Sequence, residues 1–128
     1  METDVLIIGS GPAGVQAAIH SSRKKAKTLV VGKAINSSLH GTEIENYFGV
    51  DLDGDALLGE GIGQAKSFGT EFINQNIISS AAEDGGFSFT TDDGTEIKAK
   101  AVIIATGVSR KKLAVPGEKE LYGKGVSY

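Results

Sequence analysis

No cysteine occurs anywhere in this 128-residue chain. That absence removes disulfides, thiolate metal ligands and thiol nucleophiles from its chemistry. No apolar run approaches the ~18 residues that a membrane span requires, so no membrane partner is expected. Nor is nucleic acid, because the formal net charge of −3 has the wrong sign for a phosphate backbone. The first strand begins by Asp4, which leaves no room for a signal peptide and makes a cytoplasmic location the expectation. Internal repeats and low-complexity tracts are missing as well. What remains is one modest domain with enough material for a single core. Glycine is abundant, 18 of 128 residues against a usual ~7%, which points to tight turns and close backbone approaches.

The first fourteen residues organise the rest. Val5-Leu6-Ile7-Ile8 is a short unbroken apolar run, as a strand buried on both faces requires. Gly9-Ser10-Gly11-Pro12-Ala13-Gly14 follows at once and fits G-x-G-x-x-G. In that pattern Gly9 lets the strand turn sharply, Gly11 lets backbone approach a pyrophosphate, and Gly14 lets the next helix lie close on the sheet. Pro12 suits a first helical position, and the free N–H groups of that helix end face the phosphates. The helix runs to about Lys24, with Ala13, Ala17 and Ala18 as its small face. A second apolar strand, Thr28-Leu29-Val30-Val31, arrives within the ~30 residues of a βαβ unit. A nucleoside-triphosphate loop is excluded, because Val15 stands where that motif needs lysine.

Other expected groups are missing along the chain. A simple NAD-binding unit puts Asp or Glu at the end of the second strand to hold ribose hydroxyls, but here the strand ends in Gly32-Lys33. The basic cluster Arg23, Lys24, Lys25 and Lys27 reads as a solvated helix C-terminus. Asn36 to Gly49 reads as a loop. Neither His20 nor His40 has a second His or a Cys at ligand spacing, so both read as surface histidines. Asp51, Asp53 and Asp55 imitate the start of a calcium loop, which fails because Ala56 and Ile62 occupy the required glycine and glutamate positions. Those acids are expected to cap and charge the helix of about Ala56 to Phe68, whose stripe is Leu57, Leu58, Ile62, Ala65 and Phe68 and whose stop is Gly69. No metal site and no catalytic side chain are assigned.

Glu71–Ile73 reads as a strand. Ile77–Ala81, Phe87–Thr91 and Glu96–Lys100 follow as an antiparallel meander, with turn signals Asp84-Gly85-Gly86 and Asp92-Asp93-Gly94. Ala101-Val102-Ile103-Ile104 reads as another buried strand ending in Ala105-Thr106-Gly107. Arg110-Lys111-Lys112 and Pro116-Gly117 begin an irregular tail. The expected fold is a Rossmann-like three-layer α/β unit. A central parallel sheet has two helices on one face and the three-stranded meander on the other.

This order of elements resembles the FAD-binding half of the pyridine nucleotide–disulfide oxidoreductases, and most closely the low-molecular-weight thioredoxin reductase family. Gly9–Gly14, Glu43-Ile44-Glu45-Asn46-Tyr47, Ala105-Thr106-Gly107, and Pro116-Gly117 with Gly123-Lys124-Gly125-Val126-Ser127 carry the resemblance over nearly the whole chain. It implies an FAD with its pyrophosphate at Ser10–Ala13 and its adenosine near Gly32 and Lys33. It further implies Asn46 by the flavin end and Ala105, Thr106 and Gly107 beside the cofactor. The chain departs from the family at Ile35, Asn36 and Ser37, where Gly-Gly-Gln is frequent, and at Phe48, which replaces a proline.

In the family a redox-active C-x-x-C follows almost directly after a segment like Gly123–Tyr128. The chain is therefore expected to be the N-terminal portion of a longer protein. The nucleotide-binding domain and a return segment that completes the FAD domain would lie beyond it. The parent would be a homodimeric flavoenzyme. It would pass electrons from NADPH or another donor, through FAD, to a cysteine pair and a disulfide protein such as thioredoxin. Two other readings stay open. One is a stand-alone NAD(P)-binding dehydrogenase domain, in which Lys33 meets a 2′-phosphate. It lacks a Tyr-x-x-x-Lys pair, since Asp51 follows Tyr47 and Val126 follows Tyr122 at that spacing. The other is a nucleotide-binding module without chemistry.

Overall fold

Alternating apolar strands and amphipathic helices need cover on both sheet faces, and the chain supplies it with two different kinds of element. The computed structural model describes residues 1–109 and 111–128. Strand β1 (Glu2–Ile8) leads into helix α1 (Pro12–Arg23) and strand β2 (Thr28–Val31). A 3₁₀ turn over Ala34–Asn36 and a loop lead to helix α2 (Gly54–Ser67). Strands β3 (Glu71–Ile73), β4 (Ile77–Glu83), β5 (Gly86–Thr91) and β6 (Glu96–Ile104) follow. They form one six-stranded sheet in the order β3-β2-β1-β6-β5-β4. Strands β3, β2, β1 and β6 are parallel, and β6, β5 and β4 run antiparallel to one another.

The register splits the apolar residues between two cores. Ile7 and Val30 are paired and project to one face, where Val15, Ala18 and Ile19 of α1 and Leu58 and Ala65 of α2 cover them. Leu6, Leu29 and Val31 project to the other face and meet Phe89, Ile97 and Ala99. The helices thus lie on one face and the meander on the other, as the sequence indicates. Leu6, Ile7 and Val30 are completely buried, and each such side chain contributes about 1.5–3 kcal/mol relative to exposure.

Two features of the last strand differ from the expectation. Ala101–Ile104 is not buried, with Ile103 and Ile104 39% and 76% exposed because no strand among the described residues covers their outer edge. Its boundary also moves. Glu96–Lys100 and Ala101–Ile104 are not two strands but a single nine-residue strand, β6. Its first half pairs with β5 at Glu96–Ala99 on one edge, while Lys98–Ile104 pairs with β1 on the other. The meander is therefore hydrogen-bonded into the sheet and reaches the far face by curling. Right-handed sheet twist brings the start of β4 back over the sheet. Ile77 packs with Ile73 and Val102 against the second core.

The expected caps of α2 are present. Asp53 accepts a hydrogen bond from Ala56 N at 2.8 Å, and Asp55 lies in the first turn. The tail is a set of turns pinned by buried Glu118, whose carboxylate accepts from the backbone N–H groups of Leu113 and Ala114 at 3.1 and 2.6 Å. Arg110, part of the expected basic start of that tail, lies outside the described residues. Among the described residues, no helix is long and apolar enough to cross a membrane.

Candidate functional site

The chain leaves β1 on one side of the sheet for β2 and β3, then returns on its other side as β6. Crevices for ligands open at the carboxyl ends of strands at such a reversal. Here a cleft of about 460 Å³ lies at the ends of β1, β2 and β6. A second hollow of about 710 Å³ lies between the outer faces of α1 and α2. Its greater size counts for less than its setting, since no strand residue lines it and it meets the glycine turn only at Pro12.

The turn from β1 to α1 has the geometry that its glycines allow. Gly9 has φ +116°, and a Cβ there would collide with the Ala105 backbone. A Cβ on Gly14 would collide with the carbonyl of Gly9, so the helix start lies directly on the turn. Gly11 is different. Its φ is −77° and, among the described residues, a Cβ would meet only the Ser37 side chain, whose Oγ is 3.5 Å away, and Gly11 lines the cleft. A Cβ on Gly32 would lie 2.7 Å from Ser10 N, which explains why the end of β2 also needs glycine.

Helix α1 begins at Pro12 with no side chain capping its N-terminus. Its first-turn N–H groups and its partial positive charge are thus left for an anion. Ser10 is 5% exposed, and its hydroxyl is buried without a hydrogen-bond partner among the described residues. A buried hydroxyl without a partner is costly, and a phosphate oxygen over this turn offers the acceptor it lacks. The residues therefore fit the diphosphate of a dinucleotide.

Ten of the twelve residues expected at a cofactor line this one cleft: Gly9, Ser10, Gly11, Pro12, Ala13, Gly32, Lys33, Ala105, Thr106 and Gly107. Gly14 lies beneath it, buried at the helix start. Asn46 is exposed and outside the lining, in the loop that also carries fully exposed Phe48. Asn36 and Ser37, read only as departures from the family pattern, line the cleft, as do Ser38, Gln75 and Asn76. Position just after β2 could have pointed to the first three. Nothing local marks Gln75 or Asn76, which the curl of the meander brings in.

Lys33 is not a free cation. Its Nζ donates to Asp92 Oδ2 at 3.0 Å. Asp92 also accepts from the backbone N–H and the side-chain amide of Asn76, at 3.2 and 2.9 Å. The hydrogen bond from Lys33 is the largest cause holding the Asp92 carboxyl below its ordinary value. His40 is not isolated either. Its Nδ1 lies 2.9 Å from Asp55 Oδ1, which lowers the Asp55 pKa, and Gly41 N donates to the same carboxylate at 3.0 Å. Among the described residues, no cluster of three or more His, Asp or Glu side chains is placed to hold a metal.

Comparison with known proteins places the chain in a family. The family model described as pyridine nucleotide-disulphide oxidoreductase matches residues 3–128. The chain is 42% identical to a thioredoxin reductase of Aquifex aeolicus, over 98% of this chain and 40% of that protein. It is 44% identical to one of Peptoclostridium litorale, over 98% and 41%. It superposes on a thioredoxin reductase of Streptococcus pyogenes with a TM-score of 0.82 and 34% identity, covering 99% of this chain and 42% of the other. The chain spans about two fifths of the length of these relatives. A family match over nearly every residue and a shared fold together mean that this chain belongs to the pyridine nucleotide-disulphide oxidoreductase family.

Proposed function

We propose that the cleft holds FAD, with its diphosphate over Ser10–Ala13 and its adenosine toward Gly32 and Lys33. On this reading the chain is the FAD-binding portion of a thioredoxin-reductase-like flavoenzyme. The observation that carries the reading is the buried Ser10 hydroxyl, without a partner among the described residues, beside a helix N-terminus with no side-chain cap. Ser10 and the first turn of α1 bind the diphosphate. Gly11 leaves room for it, and Ala105, Thr106 and Gly107 line the cleft where β6 ends. Bound FAD would supply the redox chemistry of the whole protein, relaying electrons from NADPH or another donor to a cysteine pair and a disulfide substrate such as thioredoxin.

Residues 1–128 are read as the N-terminal portion of the FAD domain. Support comes from the two-fifths coverage of the relatives and from the outer edge of β6. Strand β5 covers that edge only over Glu96–Ala99, while Ile104 and Val108 are 76% and 96% exposed. A further strand would pair there and cover apolar surface that is otherwise prone to association. Homodimerisation and a cytoplasmic location belong to the same reading, and so does Asn46 near the flavin end.

The test is the absorbance spectrum of protein purified without added cofactor, followed by titration with FAD. Flavin bands, or tight FAD binding by the colourless form, are the expected result. A colourless protein that ignores FAD but binds NADP would overturn the reading in favour of a dehydrogenase-type domain.

A further inference from the structure

In dinucleotide folds, the position just past the second strand meets the 2′ position of the adenosine ribose. An acid there suits hydroxyls, and a nearby cation accommodates a 2′-phosphate. By sequence alone this chain carries the cation, Lys33. Its neighbours in space alter the chemistry. Lys33 Nζ and Asn76 Nδ2 both donate to Asp92 Oδ2, at 3.0 and 2.9 Å, and Gln75 Nε2 donates to Asp93 Oδ2 at 3.1 Å. Three side chains of the cleft lining thus direct their donors at one turn, Asp92-Asp93 between β5 and β6. Each amide oxygen, Asn76 Oδ1 and Gln75 Oε1, is left without a donor among the described residues. Acceptors of that kind suit ribose hydroxyls and oppose a phosphate.

We propose that the Asp92-Asp93 turn sets the specificity of the cleft. It engages the donors of Lys33, Asn76 and Gln75 and so selects a dinucleotide with a free adenosine 2′-hydroxyl over one with a 2′-phosphate. Asp92 acts through Lys33 and Asn76 and is a positioning residue. The inference rests on the reading of the cleft as a dinucleotide site.

Neither carboxylate can readily turn away. Asp92 Oδ1 also accepts from Asn76 N at 3.2 Å. Asp93 Oδ1 accepts from Thr91 Oγ1 and Thr95 N at 2.6 and 3.0 Å. The Lys33–Asp92 pair is about one-third exposed, at 32% and 28%, so the pair alone is a weak tie. The discrimination comes from the pinned carboxylates. A 2′-phosphate, with a charge of about −1.5 to −2, would have to draw Lys33 off Asp92 and then sit beside two fixed anions.

The experiment is calorimetric titration of FAD-free protein with ADP-ribose and with 2′-phospho-ADP-ribose, folding being checked by circular dichroism. The unmodified protein is expected to bind ADP-ribose tighter by about tenfold or more, the scale of one unit charge acting on a phosphate a few Å away. Asp92→Asn frees Lys33 and should lower that preference about tenfold. Adding Lys33→Gln to it should cancel the gain, as coupled neighbours require. Lys33→Gln alone should raise the preference for ADP-ribose. Tighter binding of the 2′-phosphorylated ligand by the unmodified protein would overturn the proposal. So would an unchanged ratio in folded Asp92→Asn protein that still binds ADP-ribose. If Asp92→Asn does not fold, the unmodified protein and Lys33→Gln still decide. Failure of the unmodified protein to bind FAD or either ligand would instead overturn the dinucleotide reading itself, and this inference with it.

Discussion

Replacing Ser10 by alanine should move stability and cofactor affinity in opposite directions. The Ser10 hydroxyl is buried and finds no partner among the described residues. Leaving such a group unsatisfied costs about 1–3 kcal/mol. Ser10→Ala removes that cost and loses only the packing of one oxygen, so the FAD-free protein should gain about 1 kcal/mol. With a urea m-value of about 2 kcal/mol/M, that is an upward shift of about 0.5 M in the midpoint. The bound state loses a hydrogen bond to a charged acceptor, worth about 1.5–3 kcal/mol, so FAD should bind at least about tenfold more weakly. Urea denaturation of flavin-stripped protein gives the first quantity, and titration with FAD followed by flavin fluorescence gives the second. A hydroxyl with a purely structural role would lower the midpoint and leave FAD affinity alone. That pair of results would refute the assignment of Ser10 to the diphosphate.

Gly11→Val should abolish flavin retention while far-UV circular dichroism stays unchanged. The φ of −77° at Gly11 accepts any residue and, among the described residues, a Cβ there meets only the Ser37 side chain, so the valine side chain fills the cleft without disturbing the fold. Normal flavin content in that variant would contradict the site. Asp4, Asp55, Asp92 and Asp93 all lie below the ordinary carboxylate value of 3.8, each held chiefly by a side-chain hydrogen bond. Their contribution to stability is present above that value and lost as the pH falls below it toward their lowered folded values. Denaturation midpoints should therefore drop on acidification through that range, and Asp4→Asn should flatten part of the drop. Finally, the 128-residue chain on its own should show no NADPH-dependent reduction of a disulfide substrate above the free-flavin background, because the attacking species is a thiolate and the chain has none. Turnover without added protein would sink that expectation.

The two helices, the glycine turn and the strands around them were legible in the sequence because their signals are local. Gly9 to Gly14 announces a strand, a sharp turn and a helix within a few residues. The apolar runs Val5–Ile8 and Thr28–Val31 are too continuous for a sheet exposed on one face. Asp53 could be read as a cap because capping acts across three residues. The β6 boundary was not legible, because pairing with β1 and with β5 on opposite edges, rather than any residue of its own, makes Glu96–Ile104 continuous. The site divides in the same way. Gly9, Ser10, Gly11, Pro12 and Ala13, which line the candidate cleft, could be grouped from sequence because one turn brings them together. The state of Lys33 was not, because its partner Asp92 lies 59 residues away and arrives only when the meander curls over the sheet. Local sequence determined the glycine turn and uncapped helix end on which the proposed diphosphate site is built. Tertiary structure decided what surrounds Lys33, because its partners come from distant strands whose spacing no local pattern records.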